Sequence, residues 1–242
     1  MNAIASSQIM QRIEQGKNTR ILAFGSSNTE RYMPGTHWFD ALDLAIRETH
    51  CQNQRRMYHC INAGIGGHTT RDLLDRFDRD AAFYKPHLTI ITIGGNDANP
   101  DKGISPQNYI DNLHKLYTQF TDLGSAVVFQ TYYSVIPEMD TPDKIERFER
   151  FHDSMDVVRN VAKETGAELI DHLKRWEPLR LKHPNLHIGL MRDAYHVNDL
   201  GNKVMGLYVA RSFGLRLGEL VPEPWTNAKI CDALMDELSP NG

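Results

Sequence analysis

Apolar residues gather into five short runs along this chain, at positions 21–24, 59–63, 87–93, 126–133 and 168–170. Each run is too short for a helix and predicts a strand. Between them the apolar spacing changes to threes and fours. Tyr109, Leu113, Leu116, Phe120 and Leu123 trace one helical face, with Ser105 as its N-cap, Pro106 at its first position and Gly124 as its stop. Phe148, Phe151, Met155, Val158 and Ala162 trace a second, ending at Gly166. Val204, Leu207 and Tyr208 mark a third, ending at Gly214. Strands that alternate with helices predict an α/β fold: a parallel sheet of about five strands in a three-layer α/β/α arrangement. The central runs are nearly unbroken in apolar residues, as strands covered on both faces require. One domain is expected over 1–242, with its core at about 19–215 and a proline-bearing C-terminal appendage at 216–242. The charged stretch from Arg71 to Asp80, interleaved with Leu73, Leu74 and Phe77, predicts an amphipathic helix with a solvated face.

Composition narrows the class. The 242 residues suffice for one large domain with a sizeable core. A net charge of -4 gives no electrostatic reason for nucleic acid or an anionic membrane as partner. No run approaches the roughly 18 apolar residues of a membrane span. The first 18 residues include Arg12, Glu14 and Lys17 and lack a secretory h-region, so a cytoplasmic location is expected, with secretion open if a leader has been removed. Cys51, Cys60 and Cys231 are an odd count without metal-ligand spacing, and read as reduced thiols.

In an open parallel sheet, ligands bind beyond the carboxyl ends of the strands. Ser27 follows the first run, Gly67 the second and Asn96 the third. Asp193 and His196 follow the fifth, after a loop rich in His and Pro. Ser27 is the candidate nucleophile and His196 the candidate base, with Asp193 to orient the imidazole. The backbone N–H of Gly67 and the amide of Asn96 are candidate oxyanion donors. Plainer readings stand beside these: Ser26 and Ser27 as helix caps, Gly64 to Gly67 as a tight turn before a helix opened by Thr69 or Thr70, and Asn96 in an Asx-turn. A phosphate or flavin cradled by residues 26–29 at a helix N-terminus is a further alternative. Gly64-x-Gly66 falls short of a dinucleotide fingerprint, and no P-loop motif is present. His183, His187 and His196 share one region, but Pro184 argues against a helix that would set the first two on one face, so no metal site is expected.

The segments 21–29, 62–70, 94–97 and 193–196 resemble, in order, the four sequence blocks of the SGNH hydrolase superfamily, the GDSL esterase/lipase family. Asn198 and Gly201 follow the last block as in that family. The resemblance implies a flavodoxin-like fold and ester hydrolysis through an acyl-enzyme. It assigns Ser27, Asp193 and His196 to catalysis, and the Ser27 and Gly67 N–H groups with the Asn96 amide to the oxyanion. It implies no metal or organic cofactor. Ser26 departs from the pattern, which usually has Asp there. Tyr32, His37, Trp38, His68, Arg71, Asn99, Tyr132, Tyr133, Arg192 and Tyr195 lie near the expected mouth, and no long apolar lid is evident. That lining suits a short acyl group, an acetyl above all, on a polar alcohol such as a sugar. Trp38, His68, Tyr132 and Tyr195 are expected to contact this small-molecule ester. Lysophospholipase, thioesterase and inactive ligand-binding members are the alternatives within the superfamily.

Overall fold

In a computed structural model describing residues 5–51, 57–141 and 145–239, all five apolar runs become strands of one sheet. They are β1 (Thr19–Gly25), β2 (Tyr58–Gly64), β3 (Leu88–Thr92), β4 (Ala126–Gln130) and β5 (Glu168–Ile170). Their order is β2-β1-β3-β4-β5, and every neighbouring pair is parallel. This is the flavodoxin-like order, in which the sequence doubles back beside β1. Gly64, Gly25, Thr92, Gln130 and Ile170 form one register row, so the loops after all five strands leave the sheet at the same level.

The helices, in chain order, are α1 (Ser6–Glu14), α2 (Trp38–His50), α3 (Thr70–Asp75), α4 (Phe77–Asp80), α5 (Pro106–Asp122), α6 (Ile145–Thr165), α7 (His172–Lys182), α8 (Pro184–Gly189), α9 (Asp199–Ser212) and α10 (Thr226–Leu238). The chain divides into two compact units. The first, residues 1–32, 57–132 and 141–170, holds the sheet with α1, α3, α4, α5 and α6. The second, residues 33–56, 133–140 and 171–242, holds α2 and α7 to α10.

In the first unit, Leu22, Phe24, Ile91, Val127 and Phe129 form one core with Leu113, Leu116 and Phe120 of α5 and Val158, Val161 and Ala162 of α6. Phe120 meets Phe24 and Phe77 edge-on, at 5.7 and 4.9 Å between ring centres. Each such side chain contributes about 1.5–3 kcal/mol by leaving water. The alternate residues Ile21, Ala23, Ile90 and Val128 are buried as well, as the unbroken apolar runs require. Helix α5 begins as predicted: the Ser105 hydroxyl accepts the Asn108 N–H at 3.2 Å, with Pro106 at N1. Gly124, Gly166 and Gly214 close α5, α6 and α9 at positive φ.

Four expectations change. The run 126–133 leaves the sheet after Gln130: Thr131 N–H still reaches the Ile170 carbonyl at 3.0 Å, but β5 ends there and offers no further partner. The charged stretch 71–80 is not one helix. It breaks at Arg76 into α3 and α4, and Arg76 turns inward. The loop expected after β5 is mostly α7 and α8: Pro184 opens α8 at N1, where a missing N–H costs nothing, while His183 stays outside both helices as their cap, so no single helix carries His183 and His187. The expected C-terminal appendage carries α10, which buries Ala228, Cys231 and Met235 in the second unit. There Arg175 of α7, stacked 4.2 Å above the Tyr208 ring, bonds Asp232 at 3.0 Å and Asp236 at 2.6 Å.

Candidate active site

In the first unit, Gly25 ends β1 with no room for a side chain: a Cβ there would lie 2.3 Å from the Thr92 carbonyl. The Ser26 carbonyl then accepts the N–H groups of both Thr29 and Glu30 at 2.9 Å. This makes one tight turn and no helix. The next helix is α2, which starts at Trp38. Ser26 and Ser27 therefore cap nothing, and residues 26–29 do not form the helix N-terminus that phosphate or flavin binding needs. Ser26 is buried and Ser27 half-buried.

The loop after β2 lies against this turn. Ile65 N–H bonds the Gly25 carbonyl at 3.2 Å, Gly66 N–H bonds the Glu30 carboxylate at 3.0 Å, and Asn62 Nδ2 donates to the Thr29 carbonyl at 2.6 Å. A Cβ on Gly66 would stand 3.8 Å from that of Ser27. Gly67 is exposed at φ +76°, with its N–H on the loop that faces the nucleophile candidate. Thr69 caps α3 with a reciprocal bond to Asp72, as one of the two predicted openings requires.

Asn96, after β3, does not turn back on its own loop. Its Nδ2 donates to the His68 carbonyl at 2.9 Å and its Oδ1 accepts from Arg147 at 3.5 Å, which fixes the amide and leaves its second N–H hydrogen. Burial and the nearby Arg76 lower the pKa of His68, so its ring is neutral at neutral pH. Arg76 is 5% exposed and donates to the carbonyls of Gly25 and Ala63 at 2.9 Å each, while lying 4.4 Å over the Phe24 ring. It ties the ends of β1 and β2 together from beneath. Its place in a run of alternating charges gave no hint of this.

The neighbouring Asp97 accepts the N–H and hydroxyl of Thr70 on one oxygen, at 2.9 and 2.6 Å, while its other oxygen is buried with no hydrogen-bond partner among the described residues. Burial raises its pKa to about 6, against the lowering effect of the Thr70 bonds. A carboxyl whose folded pKa is raised adds stability fully below its unfolded value near 3.8 and loses it as pH rises through about 6. Asp97→Asn is therefore expected to remove a decline of up to about 3 kcal/mol between pH 4 and 8. Urea melts of both proteins across that range check this, and parallel slopes would contradict it.

The second unit holds the candidate acid–base pair, Asp193 and His196. Asp193 Oδ1 accepts the backbone N–H groups of Tyr195 and His196 at 2.9 Å each, and His196 Nδ1 at 2.8 Å. Arg192 Nη2 reaches Oδ2 at 2.7 Å. Burial alone would raise this carboxyl, but the Tyr195 N–H, the Arg192 guanidinium and His196 hold it below the usual range, so it is ionised. A carboxylate on Nδ1 makes that nitrogen the protonated one and puts the ring's lone pair on Nε2, as a general base requires. The Tyr133 hydroxyl grips the same loop on both sides of His196, donating to the Tyr195 carbonyl at 2.8 Å and accepting the Val197 N–H at 3.0 Å. Asn198 caps α9 by accepting the Gly201 N–H, and a Cβ on Gly201 would strike the Leu190 carbonyl at 2.3 Å.

Two substrate-contact expectations fail. Trp38 is wholly buried, packed 5.5 Å from the His37 ring and 5.4 Å from Phe39, and is a core residue of α2. Tyr132 is 5% exposed, with its hydroxyl engaged by Ser26. His68 and Tyr195 are half-buried, and the Tyr195 hydroxyl donates to Asp140. Among the described residues, no group of three or more His, Cys, Asp and Glu side chains is arranged to hold a metal ion. His187 is buried with its Nε2 at 3.1 Å from the Ser134 carbonyl.

The GDSL-like lipase/acylhydrolase family matches residues 23–204, most of the chain. The chain belongs to this family. Over 167 residues it is 26% identical to an acetylxylan esterase of Geobacillus stearothermophilus, covering 64% of this chain and 71% of that one. Over 184 residues it is 27% identical to the uncharacterized lipoprotein YqeF of Bacillus subtilis, with the same coverage. Among solved structures, the acetylxylan esterase Axe2 from Geobacillus stearothermophilus superposes with a TM-score of 0.68 at 22% identity, over 82% of this chain and 95% of that one. The acetyl xylan esterase AlAXEase gives 0.67 at 22%, over 80% and 98%. The fold is thus the flavodoxin-like α/β fold of these hydrolases, and this acylhydrolase family member is a carboxylic ester hydrolase.

Proposed function

We propose that this chain is a serine esterase that removes acetyl groups from carbohydrate through an acyl-enzyme on Ser27. The observation that carries the proposal is the Asp193–His196 pair, whose 2.8 Å bond to Nδ1 sets the ring tautomer with its lone pair on Nε2. In the proposed reaction His196 accepts the Ser27 proton as the oxygen attacks the acetyl carbonyl. The Ser27 and Gly67 N–H groups and the second Asn96 amide hydrogen stabilise the oxyanion. His196 then protonates the leaving sugar hydroxyl, and water repeats the sequence to release acetate. The fixed Asn96 amide and the exposed position of Gly67 support these roles. The acetylxylan esterases of similar sequence and fold support the acetyl group and the sugar. Among the described residues no helix is long and apolar enough to cross a membrane.

The test is hydrolysis of p-nitrophenyl esters from acetyl to dodecanoyl, beside acetate release from acetylated xylo-oligosaccharide. Turnover of the acetyl ester at least tenfold faster than the octanoyl ester, with acetate released from the oligosaccharide, is expected. A preference for long acyl chains or for acyl thioesters would transfer the site to lysophospholipid or thioester chemistry.

A further inference from the structure

Tyr132 follows β4, the strand whose loop supplies none of the proposed catalytic groups, yet its side chain lies under two of the loops that do. Its phenol oxygen is 2.8 Å from Ser26 Oγ, and Ser26 immediately precedes the proposed nucleophile. The ring packs against Gly95, which immediately precedes Asn96: a Cβ there would come within 2.5 Å of Cε2. Tyr132 is itself held from behind: its N–H is 3.1 Å from Met155 Sδ, and its ring meets Phe151 edge-on at 6.1 Å. Ser26 is wholly buried and Tyr132 nearly so, which makes the hydrogen bond between them costly to leave unmade.

We propose that Tyr132 is a positioning residue, setting the spacing between the Ser27 nucleophile and the Asn96 oxyanion donor by holding Ser26 on its phenol oxygen and Gly95 against its ring. This rests on the serine-esterase reading above. The other loop contacts do not replace it. Asn96 is tied to the β2 loop through the His68 carbonyl, and that loop to the β1 turn through Glu30, but Tyr132 spans directly from the β1 turn to the β3 loop. An oxyanion donor stabilises only the position it is aimed at, so a shift of a fraction of an ångström between the two loops weakens transition-state binding more than substrate binding.

The test compares wild type, Tyr132→Phe, Ser26→Ala and the double variant, with active sites counted by a fluorophosphonate adduct mapped to Ser27. Tyr132→Phe keeps the ring on Gly95 and removes only the oxygen bonded to Ser26. Per labelled site, each single variant is expected to lose about 10- to 100-fold in kcat on p-nitrophenyl acetate, with KM within about twofold. The double variant is expected to be no worse than the poorer single by more than about threefold, because one linkage is cut in all three. Unchanged kcat per labelled site in Tyr132→Phe, even with a lowered melting temperature, reduces the residue to a structural role and overturns the proposal. Losses that multiply in the double variant overturn it as well. Wild type that takes no label at Ser27 overturns the esterase reading itself, and this proposal with it.

Discussion

Ser27→Ala is expected to lower kcat for acetyl-ester hydrolysis on the order of 10⁴- to 10⁶-fold, with KM changed far less. The nucleophile has no substitute in this account: the adjacent Ser26 is wholly buried and its hydroxyl is bonded to Tyr132. His196→Ala is expected to cost a similar factor, because an unactivated serine hydroxyl is a weak nucleophile at neutral pH. The two losses should not multiply. Once either member is gone the other has nothing to do, and the double variant should retain what the oxyanion donors and substrate binding supply. Single-variant kcat values within tenfold of wild type, or losses that multiply, would contradict the pairing.

The second large effect is on stability. Arg76→Ala is expected to destabilise the fold by about 3–5 kcal/mol. The guanidinium is 5% exposed and serves two buried carbonyls, Gly25 and Ala63, at the ends of β1 and β2. Alanine takes a donor from each, leaving the Gly25 carbonyl with the longer 3.2 Å Ile65 N–H, and uncovers the face of Phe24. Arg76→Lys should recover part of the loss, since one ammonium on a flexible stem cannot reproduce a planar fork across two strands. Urea denaturation measures both. A cost below about 1 kcal/mol for Arg76→Ala would show that water replaces the guanidinium and that the clamp is unimportant.

Much of this was legible in the chain. The five strands announced themselves because a sheet buried on both faces demands continuous apolar runs, and few other structures produce them at that length. The helices α5, α6 and α9 were marked by their periodicity and closing glycines. The others lacked such marks. Helix α2 has no serine, threonine or aspartate cap, since His37 Nδ1 accepts the Phe39 N–H instead at 3.2 Å. Helix α7 carries Pro178 in its interior, a residue that argues for a break. The site residues were visible by their position just after strands or next to one another in sequence. What lay beneath them was not. Burial of Trp38, and the bonds of Arg76, Tyr132 and Tyr133 to backbone or side-chain groups distant in sequence, follow from tertiary contacts that no local pattern encodes. An aromatic residue at a strand's carboxyl end serves a mouth and a buried brace equally well in sequence, and only the packing separates the two.

The central claim, a nucleophilic serine at position 27, is tested most directly by treating the wild-type protein with a fluorophosphonate and mapping the adduct by peptide mass spectrometry. One phosphonyl group per chain on the peptide containing Ser27, lost in Ser27→Ala and formed far more slowly in His196→Ala, is the result expected. An unmodified protein, or an adduct that persists in Ser27→Ala, would contradict it.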